Sequence, residues 1–169
     1  DWLALDRTGA AANSVYGATD EAYIADIYYA ASAQIVAKAA EVLGLEETRQ
    51  EYQKIADRQW QVVKEEYFTA TGRCAVKTQT GLILALKYHL SENEELTREM
   101  LKKLLRDNKN KLNTGFVGTP LLCNVLTDHG MTDAAYRLLL NKEYPGWLHE
   151  VKLGATTVWE RWNSLDESG

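Results

Sequence analysis

The stretch TDEAYIADIYYAASAQIVAKAAEVLGL, residues 19–45, decides the fold. Thr19 stands in N-cap position, Asp20 and Glu21 put negative charge in the first turn, and Gly44 supplies a stop. That placement satisfies the free N–H groups and the positive end of a helix. Between these signals Ile24, Ile27, Tyr28, Ala31, Ile35, Ala39 and Val42 recur at three- and four-residue steps, which predicts that they share one helical face. The next segment, EETRQEYQKIADRQWQVVKEEYF (46–68), repeats the pattern through Tyr52, Ile55, Ala56, Val62 and Val63. A connection this short makes the two helices antiparallel neighbours.

The rest of the chain is expected to continue in pairs. After the glycine-bearing turn TATGRCAVK, TQTGLILALKYHL (78–90) predicts a third helix, and SENEELTREMLKKLLRD (91–107) opens on Ser91 and Glu94 in capping-box spacing. GTPLLCNVLTDHG (118–130) places Thr119 and Pro120 as cap and first-turn residue and Gly130 as a stop, and MTDAAYRLLLNKEY (131–144) is its partner. The expectation is all-α: three antiparallel hairpins at about 19–67, 75–108 and 119–143, alike in architecture without a shared repeat consensus. From Pro145 the stripe ends, and PGWLHEVKLGATTVWERWNS (145–164), with its glycines and β-branched residues, predicts loops or extended segments. Binding and catalytic groups concentrate on such loops.

Composition removes several function classes. With 169 residues, 46% hydrophobic and 25% charged, the chain can fold around one core. It has no run of roughly 20 apolar residues of the kind that spans a membrane. A net charge of −5 argues against nucleic acid as a partner, because that contact needs a clustered basic face. The lysine-rich REMLKKLLRDNKNKL reads as the solvated side of a helix and its exit. Cys74 and Cys123 are far apart with no histidine beside them, so they read as reduced thiols. His89, His129 and His149 are single and separated, without metal-like spacing. TGFVGTP (114–120) lacks the residues of a phosphate loop, and no G-x-S-x-G elbow is present. No signal peptide is visible. The absent initial methionine and the abrupt DESG ending suggest a segment cut from a longer polypeptide, which leaves the compartment open between cytoplasm and periplasm.

Carboxylates and tryptophans remain as candidates for chemistry. Asp1 and Trp2 form one pair, Trp147 follows a Pro-Gly turn, and Trp159, Glu160, Arg161 and Trp162 form the densest cluster. A tryptophan offers a rigid apolar face to the C–H surface of a sugar, with an N–H at its edge. A carboxylate beside such faces can orient water at an anomeric carbon, and glycoside hydrolysis commonly uses two carboxylates. The same residues also fit a core tryptophan and a surface charge pair, so a helical-hairpin scaffold that binds a protein stays open at this point.

DWL (1–3), TQTGLILAL (78–86), TGFVGTPLLCNVLTDHG (114–130), AAYRLLLNKEYPGW (134–147) and GATTVWERWNS (154–164) together resemble the catalytic region of bacterial α-L-rhamnosidases, in family order and over nearly the whole chain. The resemblance implies a toroid of six helical hairpins, of which this chain would be about half. It also implies an inverting hydrolase that removes terminal α-L-rhamnose from glycosides or polysaccharides without a cofactor. Glu160 corresponds to the family's general base, Asp1 and Trp2 to a pair lining the sugar pocket, and Trp159 and Arg161 to residues shaping the base. Asn163 stands where an aspartate is common. The family's general acid, upstream of D-W-L, and a histidine following W-E-R-W have no counterpart here, so the chain alone is expected to be inactive. Its partners would be a rhamnose-containing glycoside and the remainder of the parent polypeptide. The cut edge of the half-ring would be apolar and open to self-association. Related helical toroids act on other sugars, and fold does not choose among them.

Overall fold

The computed structural model describes residues 1–164. Their helices are α1 (Glu21–Val42), α2 (Glu46–Tyr67), α3 (Gln79–Lys87), α4 (Glu94–Asp107), α5 (Thr119–Asp128), α6 (Thr132–Leu139) and α7 (Trp147–Lys152), with no strand among the described residues. The first six pack as antiparallel pairs in chain order. The architecture is all-α, built from helical hairpins. None of the helices is long and apolar enough to cross a membrane.

α3 is the centre. Every residue from Gln79 to Leu86 is buried, because α4 and α5 pack on it and α1 reaches it as well. The core around it takes Tyr23 and Ile27 from α1, Leu101 and Leu105 from α4, and Leu122, Val125 and Leu126 from α5. The three inter-helix turns share one geometry. Gly44, His89 and Gly130 each take a left-handed conformation, and the next N–H reaches back to the carbonyls of Ala40, Ala85 and Leu126 respectively.

Three local readings are corrected by tertiary demands. The α1 cap is Asp20, whose side chain accepts from the Tyr23 N–H at 2.9 Å. Thr19 is buried and its hydroxyl pairs with that of Thr78 at 2.7 Å, tying the start of α1 to the start of α3. Asn93, not Ser91, caps α4 through the Leu96 N–H at 3.0 Å. Ser91 is drawn inward to donate to the Gly72 carbonyl at 2.6 Å, which would otherwise be buried without a donor. Gly118 holds the cap position of α5, so Thr119 is already helical, and its hydroxyl pairs with that of Thr114 at 2.8 Å.

The expected face of α1 is only partly the buried one. Ile27 and Ala31 are inside, but Tyr28, Ile35 and Val42 are exposed, and so are Tyr29, Val36 and Leu43. The buried face is instead mostly alanine, with Ala30, Ala33, Ala37 and Ala40 joining Tyr23 and Ile27. Small side chains let two long helices approach closely, which leaves the larger apolar residues of this nearly all-apolar helix uncovered. A helix apolar on all sides is one that is ordinarily surrounded. The segment after Pro145 is also not wholly irregular, since it contains α7. Six residues are too few for a periodic stripe to be legible.

Candidate active site

The N-terminal ends of α1, α3 and α5 lie together at one end of the hairpins, and the first residues of the chain bind them there. Asp1 is buried. Its Oδ2 accepts from the Thr80 hydroxyl at 2.6 Å and the Gly115 N–H at 2.9 Å, and its Oδ1 accepts from the Val117 N–H at 2.9 Å. Backbone bonds Phe116 N–H to Trp2 O and Leu5 N–H to Asn113 O, both 2.9 Å, run alongside. A side chain at Gly115 would place its Cβ 2.0 Å from the Trp2 carbonyl oxygen, so only glycine permits this approach. Leu3 takes φ +60, a conformation that costs a non-glycine residue stability and tends to cluster at functional sites.

This clamp presents Leu3 and Phe116 to a cleft of about 190 Å3. Its other walls are Thr119, Pro120, Trp147, Val158, Trp159, Glu160 and Trp162. The volume is smaller than the roughly 300–1,000 Å3 of sites for drug-sized ligands and suits a single ring. Trp162 is the fixed wall: it is 9% exposed, packs edge-on against Trp147 at 5.4 Å, and donates its indole N–H to the Thr114 carbonyl at 3.3 Å. Trp159 is half-buried, whereas Glu160 is exposed. The Glu160 carboxylate has no hydrogen-bond or ion-pair partner among the described residues.

Beneath the loop lies a second carboxyl group that the sequence reading did not single out. Glu150, on α7, is 2% exposed. One oxygen accepts from the Trp159 N–H at 3.3 Å, and the other has no partner among the described residues. Burial pushes its carboxyl above the usual range, partly offset by the Trp159 N–H and by the charge of His149.

Of the expected site residues, Trp147, Trp159 and Glu160 share the cleft. Asp1 faces into the protein, and Trp2 lies outside the cleft with its ring 5.1 Å from that of Phe116. Arg161 lines a neighbouring depression with Leu3–Leu5, Tyr144 and Asn163. Phe116 was missed because TGFVGTP read only as a tight loop. Two histidines that looked separate in sequence come together: the rings of His89 and His129 are 5.8 Å apart, beside Glu94.

Helical hairpins carrying an indole-walled, carboxylate-bearing cleft on the loops at one end define a helical-hairpin domain with a candidate sugar site. Residues 1–169 match the profile of the bacterial α-L-rhamnosidase six-hairpin glycosidase domain, and the chain belongs to that family. An α-L-rhamnosidase of Formosa agariphila is 37% identical over 155 residues, covering 90% of this chain and 17% of that protein. The crystal structure of the Streptomyces avermitilis α-L-rhamnosidase complexed with L-rhamnose superimposes with a TM-score of 0.85 at 33% identity, over 100% of this chain and 16% of that one. The Aspergillus terreus enzyme gives 0.88 at 30% identity, over 99% and 20%. The chain thus spans about a sixth to a fifth of the relatives it matches.

Proposed function

We propose that this chain forms part of the catalytic toroid of an inverting α-L-rhamnosidase, with Glu160 as its general base. The observation that carries the reading is the Glu160 carboxylate on the wall of a cleft built from Trp147, Trp159 and Trp162. In the reaction, Glu160 takes a proton from water as the water oxygen bonds C1 of a terminal α-L-rhamnoside. The C1–O bond to the leaving group breaks on the opposite face, and that oxygen must be protonated by an acid. Trp147 and Trp159 supply apolar faces for the ring. Asp1 and Trp2 act from behind it, by holding the loop that carries Phe116. A non-catalytic scaffold fits less well, since it gives no reason for a carboxylate to share a cleft with three indoles.

An inverting site places its two carboxyl groups roughly 6.5–9.5 Å apart across the water. Glu160 is the one carboxylate among the described residues lining the cleft, and Glu150 is too enclosed to meet a sugar oxygen. The reading therefore assigns the acid to a group outside the described cleft residues and expects the isolated chain to be inactive. The exposed rows Tyr28, Ile35, Val42 and Tyr29, Val36, Leu43 on α1 support the same reading, as a seat for further hairpins of the toroid.

The test is a panel of aryl glycosides offered to this chain and to a longer polypeptide carrying the relatives' flanking regions. The longer protein cleaves the α-L-rhamnoside, NMR shows the β-anomer released first, and Glu160→Gln lowers kcat by about 10²–10⁴-fold. Turnover by the short chain that disappears in Glu160→Ala would contradict the missing acid. A folded longer protein that prefers another sugar would move the substrate assignment there.

A further inference from the structure

We propose that His89, His129 and Glu94 form a divalent transition-metal site, selective for Zn2+-like ions, that clips the second hairpin to the third. The three residues come from separate places: the turn after α3, the residue following α5, and the first position of α4. One carboxylate faces both imidazoles, with Glu94 Oε1 2.6 Å from His89 Nδ1 and Glu94 Oε2 3.7 Å from His129 Nδ1. All three ligand atoms lie within 4.8 Å of one another. A tetrahedral Zn2+ bonded at about 2.0–2.1 Å sets its ligand atoms roughly 3.3 Å apart, so a cluster whose ligand atoms lie within 4.8 Å closes on an ion through side-chain shifts of about 1.5 Å or less. Two imidazoles and one carboxylate suit Zn2+ and its neighbours better than Mg2+ or Ca2+, which take oxygen ligands. A water would complete the coordination.

A second observation points the same way. The equivalent turns after α1 and α5 place glycine at the left-handed position, at φ +70 and +72, and the turn after α3 places His89 there at φ +52. Glycine adopts that conformation freely, whereas a side chain is strained in it. The fold thus keeps a histidine where its own pattern calls for glycine, and that histidine points at Glu94 and His129. The site lies at the far end of the hairpins from the cleft, so its action is on the fold and not on the sugar.

The experiment is calorimetric titration of the full, chelator-stripped chain with ZnCl2, MgCl2 serving as the hard-cation control, alongside His89→Gly and Glu94→Gln. The expected result is one Zn2+ per chain at micromolar affinity or tighter, no Mg2+ heat, and at least a tenfold loss of affinity in each variant. His89→Gly should also match or exceed the metal-free wild type in thermal stability, which separates lost binding from lost folding. Absence of saturable Zn2+ binding by the wild type, or unchanged affinity in a folded His89→Gly, would overturn the proposal.

Discussion

Removing the buried Asp1 carboxylate should loosen the cleft end of the molecule. Three donors converge on it: the Thr80 hydroxyl, the Gly115 N–H and the Val117 N–H. A hydrogen bond to a charged group contributes roughly 1.5–3 kcal/mol net, and a buried donor left unpaired costs about 1–3 kcal/mol. In Asp1→Ala, two buried donors, on Thr80 and Gly115, lose their acceptor outright, and that on Val117 is half-open to water. The expected loss is about 4–6 kcal/mol, a large share of the roughly 5–15 kcal/mol of a typical domain. Asp1→Asn keeps one oxygen but turns an NH2 toward a donor, for about 2–3 kcal/mol. Asp6 is the control: its Oδ1 accepts a single exposed bond from the Ala18 N–H, so Asp6→Ala should cost about 1 kcal/mol or less. Urea unfolding followed by tryptophan fluorescence reads all three. The order Asp1→Ala, Asp1→Asn, Asp6→Ala is required, and an Asp1→Ala protein within about 1 kcal/mol of wild type would refute the clamp.

Two further outcomes follow from the same end of the molecule. The raised Glu150 carboxyl binds its proton more tightly in the folded chain than in the unfolded one. Its contribution to stability is therefore fully present below the unfolded pKa near 4.3 and is lost as pH rises through the elevated folded value. Glu150→Gln, which keeps an oxygen for the Trp159 N–H, should raise Tm at neutral pH and flatten that decline; a lower Tm at pH 7 would count against the burial argument. Trp162→Phe removes the indole N–H that satisfies the Thr114 carbonyl together with part of a packed ring, for about 2–3 kcal/mol by urea denaturation. A cost below about 0.5 kcal/mol would mean that the wall is not fixed by that contact.

What could be read in advance was what lies close in sequence. Each hairpin is written in a few turns of three- and four-residue spacing and a stop residue, so the pairing of α1 with α2 or α5 with α6 needed nothing distant. Caps failed where a side chain was claimed by a remote partner, as Thr19 was by Thr78 and Ser91 by Gly72. The buried face of α1 was misjudged because periodicity cannot rank faces on a helix apolar nearly all round, and alanine won through close approach. Within the site, the W-E-R-W cluster was visible because it is contiguous. The wall at Phe116, the acid under the loop at Glu150 and the meeting of His89 with His129 all depend on folding back, and no local pattern announces them.

The clamp at Asp1 also sets an order in time. The hairpins close over short distances and can form as soon as both of their helices exist. The first five residues cannot take their places until residues 113–117 have been made, since their partners are the backbone of Asn113, Gly115, Phe116 and Val117. Until then the segment around Trp2 lacks these partners, and the cleft is assembled only when the later loop meets the earlier segment.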